Sequence, residues 1–131
     1  MRLASIEARR LGIDFFSPAK LAAYKGSCFM LLCQTTQARE HCQEALALLS
    51  PEAHTRAFVE LDLATTFAQQ SEVERACELA RETLTRLGPD ERTPRLVRRV
   101  QDFRGSLDRN GSARSARDFD EEFQLAFGFR R

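Results

Sequence analysis

Several absences narrow the chain before any motif is read. No apolar run could cross a bilayer: the longest, Cys28 to Cys33, is far short of the roughly 20 residues a spanning helix needs. The opening MRLASIEARRLGID has no continuous apolar core and does not read as a secretory signal, so the expected location is the cytoplasm. A surplus of charge is missing too. With 20 basic and 19 acidic residues the net charge is +1, which gives no global attraction to nucleic acid or to an anionic membrane. Lysine is almost absent, Lys20 and Lys25 being the only two, so the basic side is arginine. No sustained apolar/polar alternation bounded by turns marks a strand. No G-x-S-x-G, phosphate loop or H-E-x-x-H pattern is present. No residue set here would run an enzymatic reaction, and no cofactor or metal is implied.

What remains is helical. Hydrophobic residues make up 43% of 131 residues, enough for one domain with a real core. Ser17-Pro18, Ser50-Pro51 and Thr93-Pro94 each place a capping side chain before a proline suited to the first helical position. Ser71 with Glu74 has capping-box spacing, Gly88-Pro89 is a stop, and Asn110-Gly111-Ser112 is a turn. Between these marks the sequence predicts about seven helices, near 2–12, 17–33, 36–49, 51–69, 72–87, 94–108 and 113–127. Apolar stripes support them: Val73, Ala76, Ala80, Thr83, Leu84 and Leu87 form one. Leu96, Val97, Val100, Phe103 and Leu107 form a second, and Ala116, Phe119, Phe123, Ala126 and Phe127 a third. Short connections predict antiparallel hairpins.

A repeat underlies this order. Shifting by 38 residues aligns AREHCQEALALL (38–49) with ACELARETLTRL (76–87), with Ala38/Ala76, Glu40/Glu78, Glu44/Glu82, Leu46/Leu84 and Leu49/Leu87 identical. The preceding helices align as well, Gly26 with Ala64 and Phe29 with Phe67. Small residues (Gly26 or Ala64, Ala38 or Ala76, Cys42 or Ala80) suit close helix crossings, and the aromatic three residues on fills the gap between helices. Small, aromatic, small, small at these spacings, with Pro51 closing the first unit, resembles the tetratricopeptide repeat. The resemblance implies an all-α fold of antiparallel helical hairpins stacked as a short solenoid. The expected organisation is one helical-repeat domain over 1–131, with an N-terminal helix in 1–16, repeats at 17–49 and 50–88, and a degenerate capping hairpin at 93–127. About four residues exceed the usual period and are placed between Leu49 and Phe58, where the next helix could be longer. The tryptophan common early in the motif is absent. The segment LVRRVQDFRGSLDRNGSARSARDFDEEFQLAFG also resembles the C-terminal end of actinobacterial transcriptional regulators, which join a DNA-binding helix-turn-helix to such an array. No helix-turn-helix fits ahead of Ser17, so direct nucleic-acid binding is not expected.

By that resemblance, the first helix of each hairpin lines a concave binding surface. Lys20, Ala23, Ser27 and Met30 would line it from the first unit, and Phe58, Leu61, Thr65 and Gln69 from the second. Phe58 and Leu61 fit equally a core packed against residues 1–14. Arg92, Arg95, Arg98, Arg99 and Arg104 crowd the helix after Pro94, with Arg95 and Arg99 on one face and Arg98 placed to pair with Asp102. They read either as an anion clamp or as a solvated face partly neutralised by Asp102 and Asp108. The lysine-plus-asparagine clamp of chaperone-binding members is not reproduced. Cys28, Cys33 and Cys42 have the wrong spacing for zinc and read as reduced core cysteines. His41 and Cys42 are neighbours on a helix and diverge by about 100°, so they form no nucleophile–base pair. His54 falls in the first turn of its helix. Asp118, Asp120, Glu121 and Glu122 read as solvated surface. The expected partner is a protein or peptide, with a homodimer as one form of assembly. A chain that is instead the tail of a larger regulator would expose Leu3, Ile6 and Leu11 and self-associate.

Overall fold

The computed structural model describes residues 17–109 and 113–127, with side chains up to Phe123 in the last stretch. Its described residues form six helices and no strand. They are α1 (Pro18–Leu31), α2 (Thr35–Leu48), α3 (His54–Gln69), α4 (Val73–Arg86), α5 (Pro94–Arg109) and α6 (Ala113–Phe127), with a short 3₁₀ turn at Pro89–Glu91 between α4 and α5. The helix expected near 2–12 and the turn at Asn110–Ser112 lie outside the described residues.

Consecutive helices pair as antiparallel hairpins. Gly26 of α1 lies against Cys42 of α2, while Phe29, one turn on, stacks on His41, with ring centroids 5.4 Å apart. In the third hairpin Phe103 meets Phe119 edge-on at 5.2 Å and Arg104 holds Asp120. The hairpins stack with the first helices side by side, so that α3 packs against α1, α2, α4 and α5. Its central position explains why every residue from Val59 to Ala68 is buried. Partners between units are separated by nearly the same number of residues: 39 for Gln69 with the Met30 carbonyl, 37 for Arg99 with Asp62, and 41 for Arg81 with Glu122.

The 38-residue period is also written in the backbone. Cys33 (φ 57°) and Ser71 (φ 64°) occupy the same place in their hairpin turns and are the positive-φ non-glycine residues among those described. In each turn the N–H three residues past the helix reaches back to close the last turn: Gln34 N–H to Phe29 O and Glu72 N–H to Phe67 O, both at 2.9 Å. α2 and α4 then start and end at equivalent positions, 35–48 and 73–86. The small residues sit where expected, with Ala38, Ala64, Ala76 and Ala80 fully buried. A methyl added to Gly26 would lie 2.7 Å from Cys42 Sγ, so this glycine sets the α1–α2 spacing.

Two helix starts follow expectation and two differ from it. Ser17 caps α1, accepting from Lys20 N–H at 3.2 Å, and Thr93 caps α5, accepting from Leu96 N–H at 3.3 Å. Ser50-Pro51 does not open α3: Pro51 and Glu52 form a turn and the helix begins at His54. The extra residues between the units therefore make this turn and lengthen α3 to 16 residues against 14 in α1. Ser71 does not cap α4, because its left-handed backbone is needed to end α3; Glu72 takes the N-cap place without a side-chain bond. Cys42 and Cys77 are core residues as their positions suggest, but Cys28 and Cys33 are exposed, on the α1 surface and in the turn. The acidic pair of α6 is not merely solvated. Asp120 holds Arg104 of α5, and Glu122 accepts from Arg81 of α4 at 2.8 Å, so these carboxylates fasten the last helix to the array.

Candidate functional site

The face formed by α1, α3 and α5 carries two adjoining clefts. One, of about 390 Å³, has Phe58, Val59 and Asp62 of α3 at its floor, Lys20, Tyr24 and Ser27 on the α1 wall, and Arg95 and Arg99 on the α5 wall. The other, of about 530 Å³, continues between Met30 and Leu31 of α1 and Pro94, Arg98 and Asp102 of α5. They share Ser27, Arg95 and Arg99. The floor residues follow from helical spacing: Phe58, Val59 and Asp62 fall within one stripe of α3.

The residues expected to line a first-helix groove divide sharply. Lys20, Ala23, Ser27, Phe58, Arg95 and Arg99 meet in the first cleft, and Met30 borders the second. Leu61 does not reach the groove. It is rotated by about 60° from Phe58 and is 1% exposed in the core. Thr65 is excluded for another reason. It lies two turns beyond Phe58, where α5 closes on α3: its hydroxyl donates to Leu61 O at 3.0 Å, and its carbonyl accepts from Ser106. Gln69 serves as a brace, its amide donating to Met30 O at 3.1 Å.

The electrostatics centre on a residue that sequence reasoning missed. Asp62 is buried, and Arg99 Nη1 donates to both of its carboxylate oxygens at 2.7 Å. The Ser27 hydroxyl also faces this carboxylate and favours its ionised form. Arg99 is thus neutralised across the groove by Asp62, not by Asp102 or Asp108 on its own helix. The expected Arg98–Asp102 ion pair is not formed among the described residues, although both line the second cleft. Burial pushes the Asp62 carboxyl up to about 6; Arg99 and then Ser27 oppose that rise, while Asp102 adds to it. Burial likewise pushes the Cys42 thiol up to about 12, with Asp62 contributing, so Cys42 is a neutral packing residue. A signal for Asp62 existed: an acid in the apolar stretch FVELDLATTF, with an arginine 37 residues further on, one short of the repeat period.

Both Arg95 and Arg99 lie over the Phe58 ring, their guanidinium carbons 5.5 and 5.6 Å from its centroid. An arginine held by its face on an aromatic ring keeps its in-plane N–H donors for a carboxylate. Arg99 directs such a donor to Asp62, whereas Arg95 is exposed and has no ion-pair partner among the described residues. A second stack, remote from the groove, places Arg39 and Arg75 over Phe67 at 4.8 and 4.4 Å, with both arginines also paired to Glu72. That cluster shares the one carboxylate of Glu72 between two arginines and joins α2 to the α3–α4 turn. Among the described residues, no group of three or more histidines, cysteines and carboxylates could hold a metal, and no helix is long and apolar enough to cross a membrane.

Compared with known proteins, the chain matches no family model, no curated protein and no solved structure.

Proposed function

We propose that the chain is a non-catalytic interaction module that takes an acidic, partly apolar peptide segment of a protein partner in the cleft between α1 and α5. The observation that carries this reading is the unequal use of the two arginines on Phe58: Arg99 is committed to Asp62, and Arg95 is pre-positioned on the ring with no ion-pair partner among the described residues. A carboxylate at Arg95 would also lie in the first turn of α5, where the helix dipole favours an anion. Lys20 and Arg98 add positive charge to the same walls. Tyr24 and Leu31, 63% and 69% exposed, offer apolar surface beside these cations, which suits a peptide better than a bare anion. Asp62 and Asp102 in the same groove disfavour a string of phosphates. The segment that resembles the end of helix-turn-helix regulators includes α5. In that setting the module would serve as the sensory or dimerisation part of a regulator.

The test is fluorescence anisotropy with a labelled octapeptide alternating glutamate and leucine. Saturable binding is expected, weakened about tenfold by Tyr24→Ala and by Arg95→Gln, with melting temperature unchanged. Absence of saturable binding to this probe and to an array of acidic-apolar peptides would refute the reading.

A further inference from the structure

The Asp62–Arg99 contact is a single-point hold. One nitrogen of Arg99 serves both carboxylate oxygens, the Arg99 side chain is 27% exposed against 4% for Asp62, and Arg99 borders both clefts. Buried charge on one side and a part-exposed cation at the seam on the other make an arrangement held by the ion pair, with the Phe58 ring beside the guanidinium. We propose that Asp62 is a pH-operated latch: ionised, it holds Arg99 against α3, and protonated, it releases Arg99 into the groove as a further cation. The ligand-binding consequence rests on the interaction-module reading above; the latch itself does not.

The groups facing Asp62 come from three of the four helices packed on α3. From α5 they are Arg99 and Asp102, from α1 the Ser27 hydroxyl, and from α2 the neutral Cys42 thiol. α4 presents Thr83 and Arg86 to a different acid of α3, Glu60. Arg99 and Ser27 favour the ionised form, and Asp102 and burial oppose it, burial most strongly. The proton is thereby held into mildly acidic solution, where glutamates of a ligand remain ionised, since their usual value is about 4.3. Neither His41 nor His54 lines the clefts. When Asp62 takes up its proton the groove loses one negative charge, and Arg99 loses the attraction that kept it from the ligand.

The test combines two readouts on the full chain. NMR with ¹³C-labelled aspartate carboxyls and ¹⁵N-labelled arginine follows Asp62 and the Arg99 Nε–H from pH 4 to pH 8. The inflection of Asp62 is expected in the mildly acidic range, with Arg99 moving at the same pH. Anisotropy with the glutamate–leucine octapeptide should tighten about fivefold from pH 7.5 to 5.5, roughly the effect of one further part-exposed charge. Asp62→Asn should bind equally at both pH values, near the unaltered chain's affinity at pH 5.5. An Asp62 inflection near pH 4, or an Arg99 signal that ignores it, would overturn the latch. So would an Asn variant that keeps the full rise in affinity, since a group other than Asp62 would then be its source. Coupled titration of Asp62 and Arg99 without peptide binding at either pH would support the latch and refute the interaction module.

Discussion

Replacing Gly26 by alanine tests the feature on which the first hairpin depends. The new methyl would lie 2.7 Å from Cys42 Sγ, 3.1 Å from Cys42 N and 3.4 Å from its Cα. The sulfur can turn aside, but the backbone nitrogen cannot, so α1 and α2 must separate by a few tenths of an ångström. Overpacking of this kind costs about 1–3 kcal/mol. Alanine recovers about 1 kcal/mol through its better helix propensity. The net loss should be up to about 2 kcal/mol, measured by urea unfolding followed by circular dichroism. The second hairpin supplies the control. There the equivalent pair is Ala64 with Ala80, both fully buried, so a larger residue on one helix is matched by a smaller one on the other. Gly26→Ala combined with Cys42→Ala recreates that pair and should return to within about 1 kcal/mol of the original chain, although Cys42→Ala alone leaves a void. A single variant at least as stable as the original, or a double variant no better than the single, would refute the equivalence of the two crossings.

Three further outcomes are expected. Cys33→Gly and Ser71→Gly should each raise stability by about 0.5–1 kcal/mol in thermal unfolding, because both relieve a left-handed residue that carries a side chain. Leu61→Ala should cost about 2–5 kcal/mol as a core truncation, while Tyr24→Ala, on the cleft wall, should stay within about 0.5 kcal/mol; the reverse pattern would place Leu61 in the groove. Asp62 should shape the pH dependence of stability. With its carboxyl raised from 3.8 to about 6, the folded chain keeps a proton that the unfolded chain has lost between those values. Its stabilising contribution is then complete below pH 3.8 and lost as the pH rises through 6. Between pH 3.5 and 7 the stability difference between the original chain and Asp62→Asn should shift by about 3 kcal/mol in favour of the variant. Parallel curves would show that Asp62 has an ordinary carboxylate environment.

The hairpins and their period were legible in the residues themselves. Helix formation and pairwise packing rest on local patterns: the small residues of the crossings, the stripes of α4, α5 and α6, and the caps at Ser17 and Thr93 all sit within one or two turns of the groups they serve. Where two local signals competed, sequence order could not rank them. Ser71 looked like a cap, yet the need to end α3 with a left-handed residue prevailed. Ser50-Pro51 looked like a helix start, yet the longer link between units made it a turn.

The composition of the groove was decided by tertiary structure. Whether Phe58 or Leu61 faces it depends on a rotation of about 60° that only the packing of four neighbours around α3 fixes. Whether Thr65 is open depends on how far along α3 the fifth helix closes. Most of all, the fate of the arginines on α5 depends on Asp62, 37 residues away in the chain but 2.7 Å away in space. Sequence alone determined that α5 is rich in arginine and that Arg95 and Arg99 share a face. Only the stacking of the hairpins brings a buried carboxylate to one of them and leaves the other without an ion-pair partner among the described residues, because ionic pairing is set by distance and burial rather than by position along the chain.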